Sequence, residues 1–426
     1  MGIKKYIYKL GVKVQRPRLF EEYAFLKRTE KWSIEQLKAL QLNKLRHQLR
    51  TAYDQTVYYK NLFDRMHMLP EEIDCLDKLS LLPIINKRFV INHLDEMTNI
   101  HAGKSYYAET SGSTGEALCL DRNEKWDTSA RAAQLRGYSW YGVNPWEKNG
   151  YFWGYSNHFA KTCKVRLMDG LMNRFRLFSY QEEEIIAFAN KLCKAVYIEG
   201  YASMIYEVAK VINRLKLGPY HLKMVKGTSE QIYDYYQDEV QKAFGQKMIS
   251  EYGSMETGLI AYECTYGRQH IIMENVIVEE IKGEAVITNL NSFSVPLIRY
   301  QLGDGIVLDR SSHCPCGMQH TCIGEISGRV GKLIYGKEDS YPGLTLYYIF
   351  KNYTRTYGHM WNYQAVQTVP GKLTINLEQE IDEENKHRIL EECRRYFHDD
   401  IEVAICSKAL KRDYKKKFCD FISDLH

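Results

Sequence analysis

The chain of 426 residues has no run of apolar residues that reaches the length of about 18 required to cross a membrane. Its N-terminus, MGIKKYIYKLGVKVQRPR, is basic but lacks the continuous apolar core and small-residue cleavage site of a signal peptide. The net charge of +5 is too small, for a chain of this length, to indicate a nucleic-acid partner. We therefore expect a cytoplasmic globular protein that acts on small molecules.

The chain also lacks the two common glycine-rich phosphate motifs. Neither the Walker A loop nor the GxGxxG dinucleotide fingerprint occurs. In their place stands AETSGSTGEALCL at 108–120, where small residues allow backbone N–H groups to converge and hydroxyl side chains add further donors. This composition favours a phosphate-binding loop, although flexible surface loops have the same composition.

Cysteine is present in an odd number, eleven, without an export signal, so we expect reduced thiols rather than a disulfide framework. Four residues form a C-x5-H pair and a C-x-C pair, namely Cys264, His270, Cys314 and Cys316. Thiolate and imidazole ligands in this number suit a closed tetrahedral zinc site. The alternative is that the cysteines are partly buried thiols and that His270 is a hydrogen-bonded strand residue.

Hydrophobic periodicity divides the chain into three stretches. Residues 1–100 carry a mostly helical pattern, and residues 101–327 alternate short apolar strands with helices, as in an α/β domain with mixed sheets. In residues 328–426, two predicted strands flank a helix, which is enough for a small α+β domain. We therefore predict a large α/β N-terminal domain at 1–327 and a small α+β C-terminal lid domain at 328–426.

The N-terminal helix has an unusual composition. Ile3, Tyr6, Ile7 and Leu10 recur at helical spacing, and lysines lie between them. Such a helix either associates weakly with an anionic membrane surface or docks on its own protein, and the sequence leaves both open. The sequence also leaves open whether the chain is a monomer or a homodimer.

Five further segments follow the Ser/Gly loop in a fixed order. They are KGTSEQI at 226–232, SEYGSMETGLIAYEC at 250–264, PLIRYQLGDG at 296–305, GEISGRVGKLI at 324–334 and LKRDYKKKFCDFIS at 410–423. With the loop, this set resembles the adenylate-forming superfamily of acyl- and aryl-CoA ligases. Within it, the chain is most similar to the phenylacetate–CoA ligase and CapK branch, in which CapK is named for capsular polysaccharide biosynthesis.

The resemblance covers nearly the whole chain and implies an ATP-dependent ligase. In such enzymes a carboxylic acid attacks the α-phosphate of ATP, pyrophosphate leaves, and the acyl group of the acyl adenylate passes to CoA or to an amine or hydroxyl of a sugar or other acceptor. The enzyme must position three charged groups and offset their repulsion. The implied site for the departing pyrophosphate is the loop made of Thr110, Ser111, Gly112, Ser113, Thr114 and Gly115.

The resemblance also implies roles for the residues around the nucleotide. Glu256 matches the carboxylate that holds Mg²⁺, a cation that prefers oxygen ligands. Tyr252 and Gly253 match the aromatic residue beside adenine and the tight turn after it. Asp304 and Arg329 match the residues at the ribose. Further positions in the matched segments that line the nucleotide and acyl pockets are Ser229, Glu230, Glu251 and Ser254.

Two lysines belong to the implied lid motion. Lys332 matches the hinge between the two domains, where small or polar residues absorb a backbone rotation. In the basic tail, alignment on KFCDFIS assigns the catalytic lysine to Lys417, although the register also allows Lys416. A charge on a long flexible side chain suits stabilisation of the reacting phosphate followed by withdrawal. Lys417, Glu256 and Thr110 are therefore the implied catalytic residues.

Two other functions remain open at this stage. Some relatives in the branch adenylate the phenolic hydroxyl of a coenzyme rather than a carboxylate. The other alternative is a nucleotide-binding protein without turnover, or a peripheral membrane protein recruited by its basic ends. A binding protein has no need for a magnesium carboxylate or a mobile lysine, so the sequence favours the ligase. The CapK resemblance points toward surface polysaccharide decoration.

Overall fold

The computed structural model describes residues 2–110, 118–152, 159–177, 182–309, 311, 313–329, 333–343, 345–410, 419–423 and 425. Its architecture is mixed α/β, with a helical N-terminal region, one large sheet and a small α+β unit near the C-terminus, which confirms the predicted fold class. Among the helices of these residues, none combines the length and apolar character needed to cross a membrane.

Helices dominate the first hundred residues and then alternate with strands. The described α-helices are α1 (Gly2–Gln15), α2 (Leu19–Thr29), α3 (Ile34–Gln55), α4 (Val57–Arg65), α5 (Lys87–Asn92), α6 (Leu94–Met97), α7 (Glu124–Trp140), α8 (Phe159–Leu171), α9 (Glu182–Leu192), α10 (Ala202–Arg214), α11 (Asp234–Phe244), α12 (Thr345–Tyr357) and α13 (Glu383–Phe397). Two short 3-10 helices, Pro70–Glu72 and Leu76–Leu81, lie between α4 and α5.

The strands begin after residue 100. Those described are β1 (Ser105–Glu109), β2 (Cys119–Asn123), β3 (Asn149–Phe152), β4 (Arg174–Arg176), β5 (Tyr197–Tyr201), β6 (Met224–Thr228), β7 (Met248–Ser254), β8 (Gly258–Glu263), β9 (Gln269–Ile271), β10 (Val276–Ile281), β11 (Glu284–Asn289), β12 (Tyr300–Asp309), β13 (Cys322–Arg329), β14 (Leu333–Tyr335), β15 (Ser340–Pro342), β16 (Tyr363–Val369), β17 (Lys372–Leu377), β18 (Glu402–Ser407) and β19 (Phe421–Ser423).

Eleven strands form the large sheet, in the order β10-β11-β12-β13-β9-β8-β7-β6-β5-β3-β4. Strands β3 to β7 pair in parallel, and the rest pair antiparallel. Helices α9, α10 and α11 cover one face of the parallel half, through a core that includes Phe188, Ile205 and Phe244. Helices α2 and α7 cover the other face. Burial on both faces explains the short apolar runs that predict these strands.

The long helix α3 covers the antiparallel half of the sheet. It begins with a capping box, in which the Ser33 hydroxyl accepts the N–H of Gln36 and the Gln36 side chain accepts the N–H of Ser33. Leu37, Leu45 and Leu49 recur at helical spacing and are fully buried in the core shared with strands β8 to β12. The helical pattern of the first hundred residues therefore serves to close this side of the sheet.

The C-terminal unit has its own sheet, in the order β18-β17-β16-β19, with α12 and α13 contributing to its core. The predicted strands KLTINLE and IEVAICS form β17 and β18, and the predicted helix between them forms α13. The large sheet ends with Arg329 of β13, two residues beyond the predicted domain boundary at 327/328. The exact boundary stays a prediction.

A fully buried ion pair joins several of these elements. Arg136 of α7 donates two hydrogen bonds to the Glu274 carboxylate, from Nη1 at 2.6 Å and from Nη2 at 3.3 Å. The Thr29 hydroxyl, at the end of α2, donates to the same carboxylate, and His320 Nε2 lies 3.0 Å from it. Burial alone would raise the pKa of Glu274, but Arg136 and His320 outweigh that effect and hold the pKa well below its usual value.

We expect Glu274→Gln to destabilise the fold by about 3–5 kcal/mol at neutral pH, because Arg136 is left buried without an opposite charge. Since the folded pKa is depressed, the stability that Glu274 contributes is present above its unfolded pKa and is lost as the pH falls through the folded pKa. Denaturant unfolding measures both effects.

The matched control for this variant is Asp54→Asn, which breaks the exposed ion pair between Arg50 and Asp54. Loss of an exposed pair costs at most about 1 kcal/mol. Equal losses in the two variants would contradict a special role for the Arg136–Glu274 pair.

Candidate nucleotide site and cysteine–histidine cluster

The residues predicted for adenine and ribose come from strands that are distant in the sheet order. The Tyr252 hydroxyl on β7 donates to Asp304 Oδ2 on β12 at 3.0 Å, although three strands lie between β7 and β12. Asp304 also lies opposite Arg329 of β13 in the strand register, next to an irregularity after Gly305. The structure therefore brings three of the predicted positions together.

The chain turns tightly directly after Tyr252. A Cβ atom at position 253 would lie 2.4 Å from the carbonyl oxygen of Gly258, so Gly253 is the residue that fits there. The Ser254 hydroxyl accepts the N–H of Thr257 at 3.1 Å and closes the turn. The predicted role of Gly253 as the turn residue agrees with this close backbone approach.

Glu256 lies in the same turn and is buried. Its Oε1 accepts a hydrogen bond from the Tyr300 hydroxyl of β12 at 3.3 Å. Mg²⁺ takes one or two carboxylates together with phosphate oxygens and water, so a single oriented carboxylate fits this ion. The fit supports the predicted role of Glu256 but assigns no coordination geometry.

Thr110 and Leu118 close the base of the predicted phosphate loop. The Thr110 N–H donates to the Leu118 carbonyl at 3.0 Å, and the Leu118 N–H donates to the Thr110 hydroxyl at 2.8 Å. These bonds continue the antiparallel pairing of β1 with β2. The remaining predicted loop, hinge and tail residues lie outside the described residues, and they are Ser111, Gly112, Ser113, Thr114, Gly115, Lys332, Lys416 and Lys417.

Ser229 and Glu230 follow the carboxyl end of β6. Glu230 accepts the N–H of Ser203 at 2.8 Å, in the first turn of α10, which follows β5. An acidic side chain at a helix N-terminus is stabilised by the helix dipole. The segments after two neighbouring parallel strands are thus joined at the edge of the sheet where ligands bind in α/β proteins.

A row of buried charges crosses the parallel strands beneath this edge. Lys226 Nζ on β6 lies 2.9 Å from Glu199 on β5 and 2.8 Å from Glu251 on β7, and Tyr138 of α7 donates to Glu199. Burial alone would lower the pKa of Lys226, but the two carboxylates outweigh it and raise the pKa. Because Glu251 directly precedes Tyr252, this row anchors the strand that presents Tyr252.

Sequence reasoning assigned Glu251 to the nucleotide site but missed its partners. The available signal was a lysine inside the otherwise apolar strand MVKGT, because a charge inside a buried parallel strand must be paired. The sequence gives no indication of which carboxylates pair with Lys226.

The four predicted metal ligands lie together, with all of their ligand atoms within 4.8 Å of one another. Cys264 Sγ is 3.6 Å from Cys314 Sγ, and Cys316 Sγ is 3.2 Å from His270 Nε2. Ligand atoms around a tetrahedral zinc ion lie roughly 3.5–3.8 Å apart, given the usual Zn–S and Zn–N bond lengths. The side chains that are present therefore fit one zinc ion.

Two similar turns place the cysteines. The N–H of Gly267 donates to the carbonyl of Cys264 at 2.9 Å, and the N–H of Gly317 donates to the carbonyl of Cys314 at 3.0 Å. The two glycines have φ of +73° and +85°, a left-handed conformation that favours glycine. The local sequences C-x-x-G therefore fold the same way on both sides of the cluster.

His270 is oriented by its second ring nitrogen. Nδ1 lies 3.3 Å from the carbonyl oxygen of His320, which accepts a hydrogen bond from Nδ1–H and leaves the Nε2 lone pair toward Cys316. Burial lowers the pKa of His270 to about 4, so the ring is neutral at pH 7. Burial also raises the pKa of the Cys316 thiol to about 12 in the chain alone.

The C-terminal unit contacts the large unit beside α10 and α11. Three side-chain pairs form this contact, namely Tyr233–Asp420 at 2.9 Å, Tyr206–Asn362 at 2.9 Å and Lys210–Glu378 at 3.2 Å. The first pair lies near the site, because Tyr233 follows Glu230 by three residues.

Comparison with known proteins adds to this geometry. No family model matches the chain. CapK of Staphylococcus aureus is 21% identical over 302 residues, which cover 66% of this chain and 65% of CapK, so the match spans just under two thirds of that relative. Phenylacetate-coenzyme A ligase of Pseudomonas putida is 23% identical over 345 residues, which cover 72% of this chain and 73% of the ligase.

Solved structures show the same fold. A 2-hydroxyisobutyryl-CoA ligase in the postadenylation state, in complex with 2-HIB-AMP, matches with a TM-score of 0.71 at 15% identity and covers 93% of this chain and 92% of that ligase. The same ligase in the thioesterification state matches with a TM-score of 0.61. The chain therefore has the fold of these ligases and is similar in sequence to phenylacetate–CoA ligases and CapK.

The zinc site stays a prediction. We expect the chain, purified without chelators, to carry about one zinc ion, and Cys316→Ser to lower both the zinc content and the thermal stability, because a structural zinc ion stabilises the folded state that binds it. Cys75→Ser, at an exposed cysteine outside the cluster, is the control and should change neither property. A metal-free wild-type chain of undiminished stability would mean that the four residues are ordinary buried side chains.

Proposed function

We propose that the chain is an ATP-dependent adenylate-forming ligase that converts a carboxylic acid to an acyl adenylate, releases pyrophosphate and transfers the acyl group to coenzyme A. The observation that carries this proposal is the hydrogen bond from Tyr252 to Asp304, which lies opposite Arg329 in the register of β12 and β13. Residues that the motifs assign separately to adenine and to ribose are therefore in contact. The order of the motifs along the chain does not by itself require this contact.

The nucleoside is held by side chains whose orientation is fixed before it binds. Tyr252 lies beside adenine, and its hydroxyl holds the Asp304 carboxylate in position to accept the ribose hydroxyls. The tight turn at Gly253 keeps the backbone close to the nucleotide. Such preorganisation lowers the ordering cost of binding, so these contacts position ATP rather than react with it.

The phosphates are held by the loop that begins at Thr110, and the departing pyrophosphate stays in this loop. The Thr110 hydroxyl is oriented by the Leu118 N–H. Glu256 would hold Mg²⁺, which would supply neutralisation of the phosphate charges. Tyr300 orients Glu256 toward this task.

The motif resemblance assigns Lys417, which lies outside the described residues, to the reacting phosphate. Among the described residues of the C-terminal unit, Asp420 accepts a hydrogen bond from Tyr233, which follows Glu230 by three residues. Lys417 then neutralises the developing charge at the α-phosphate, and the lid rotates about Lys332 before acyl transfer.

The names of the relatives indicate candidates for the acceptor and for the acid. Phenylacetate-coenzyme A ligase and 2-hydroxyisobutyryl-CoA ligase carry coenzyme A in their names, which favours CoA as the acceptor. CapK favours a sugar acceptor in surface polysaccharide synthesis as the second candidate. An aryl acid, a hydroxy acid and an amino acid are the substrate classes to compare, because the acid is not fixed by the nucleotide contacts.

ATP–pyrophosphate exchange across these acids tests the function. At least one acid is expected to support exchange, and Asp304→Asn is expected to raise the KM for ATP about 10-fold or more with little change in kcat, because its hydrogen bonds go to the non-reacting ribose. Asp399→Asn, at a fully exposed carboxylate, is the control. Exchange with a phenol but with none of the acids would favour the hydroxyl-adenylating alternative, and no exchange at all would favour a binding protein.

Lys417→Ala separates the two half-reactions. We expect it to slow adenylate formation by a factor of about 100 or more, because a charge at the reacting phosphate is lost, while transfer from a supplied acyl adenylate to CoA continues. Lys416→Ala is the matched neighbour and should retain both steps. Equal loss of both steps in Lys417→Ala would assign the tail a folding role, and selective loss in Lys416→Ala would move the catalytic role by one residue.

A further inference from the structure

The N-terminal helix α1 exposes one row of its apolar side chains to solvent. Ile3, Tyr6, Leu10 and Val14 are between 65% and 77% exposed. Their spacing of three, four and four residues places them on one face of the helix, in a stripe about 16 Å long. The sequence pattern predicts a row of Ile3, Tyr6, Ile7 and Leu10 and leaves open whether it faces the protein. In the structure Ile7 is half-buried, and Ile3, Tyr6 and Leu10 face solvent together with Val14.

The opposite face of α1 attaches the helix to the protein. The Tyr8 ring packs against Trp146 with centroids 5.8 Å apart, and Lys4 Nζ donates to the Gly170 carbonyl of α8 at 2.6 Å. The Tyr106 hydroxyl of β1 donates to the carbonyl of Gln15 at 2.9 Å, at the end of the helix. These contacts fix the rotation of α1, so the outward stripe is a property of the docked helix.

The adjoining helix α8 enlarges the apolar surface. Leu167, Met168 and Leu171 near its C-terminal end are 66%, 40% and 39% exposed, and Gly170 of this turn is the residue that contacts α1. Single exposed apolar residues are common on protein surfaces, but clusters of this size mark interaction sites. We call the exposed apolar residues of α1 and α8 the apolar helix surface.

The charge of α1 indicates the partner. Its sequence GIKKYIYKLGVKVQ contains four lysines and no acidic residue. Lysines that flank an apolar stripe extend their charged ends to an anionic bilayer while the apolar side chains enter the headgroup boundary. A second copy of the chain would bring two such lysine-rich helices together, and like charges oppose that contact.

We propose that the apolar helix surface is a docking site for an anionic lipid bilayer, on which α1 lies parallel to the membrane plane. The stripe supplies insertion, and Lys13 supplies attraction to the headgroups, whereas Lys5 and Lys9 lie over the Trp146 ring at 5.6 Å and 5.9 Å from its centroid. This proposal is independent of the adenylation chemistry, because it involves none of the residues placed at the nucleotide.

Vesicle flotation of the full chain tests the proposal. The wild type is expected to float with vesicles of phosphatidylcholine that also contain phosphatidylglycerol, to float less at high salt, and to stay unbound with phosphatidylcholine alone. The double variant Tyr6→Ser with Leu10→Ser should lose about tenfold or more of the binding, because it removes the centre of the stripe. Lys13→Glu should weaken binding while the stripe and the attachment of α1 remain.

The matched control places the same change elsewhere. Ile100→Ser with Val57→Ser removes two apolar side chains that are 83% and 59% exposed and lie outside the apolar helix surface, and it should bind vesicles as the wild type does. Circular dichroism confirms that each variant is folded. Absence of wild-type binding to anionic vesicles would overturn the proposal, as would equal binding by the stripe variants. If the wild type does not bind vesicles but forms a dimer, and Leu10→Ser dissociates this dimer, the proposal is overturned and the surface contacts a second copy of the chain.

Discussion

The buried ion pair between Arg136 and Glu274 is the constraint on which the other contacts depend. Removing both charges from water is costly, and only bidentate geometry with further donors offsets that cost. The pair fixes α7 relative to α2 and to the segment after β9. Helix α7 also carries Tyr138, which reaches the charged row under Tyr252. The nucleotide site and the cysteine–histidine cluster are therefore built on elements that this single pair joins.

The two candidate sites use different means to hold their groups. The nucleotide site depends on close backbone approach, as at Gly253, and on a hydrogen bond between strands that are not neighbours in the sheet. The cysteine–histidine cluster depends on two matched glycine turns and on one histidine held by a carbonyl. In both sites, the side chain that would contact the ligand is held in its orientation by a neighbouring group. A site held in this way binds its ligand without rearrangement.

The sequence predicts those features that depend on residue order and local spacing. Ordered motifs identify Tyr252, Asp304 and the cluster, and periodicity identifies the fold class. The sequence does not identify features that depend on distant pairing, such as the bond between Arg136 and Glu274, which are 138 residues apart. Nor does periodicity determine rotation, because the stripe of α1 has the same spacing whether it is buried or exposed. Tertiary packing determines which residues form buried pairs and which face of a helix is exposed, and this packing cannot be read from a single sequence.

Strand β13 connects the two sites. It begins at Cys322, six residues after Cys316, and ends at Arg329 opposite Asp304, and its pairing with β12 contains two register irregularities. At its other end β13 pairs with β9, where Cys322 lies opposite His270 of the cysteine–histidine cluster. A single strand therefore borders both candidate sites.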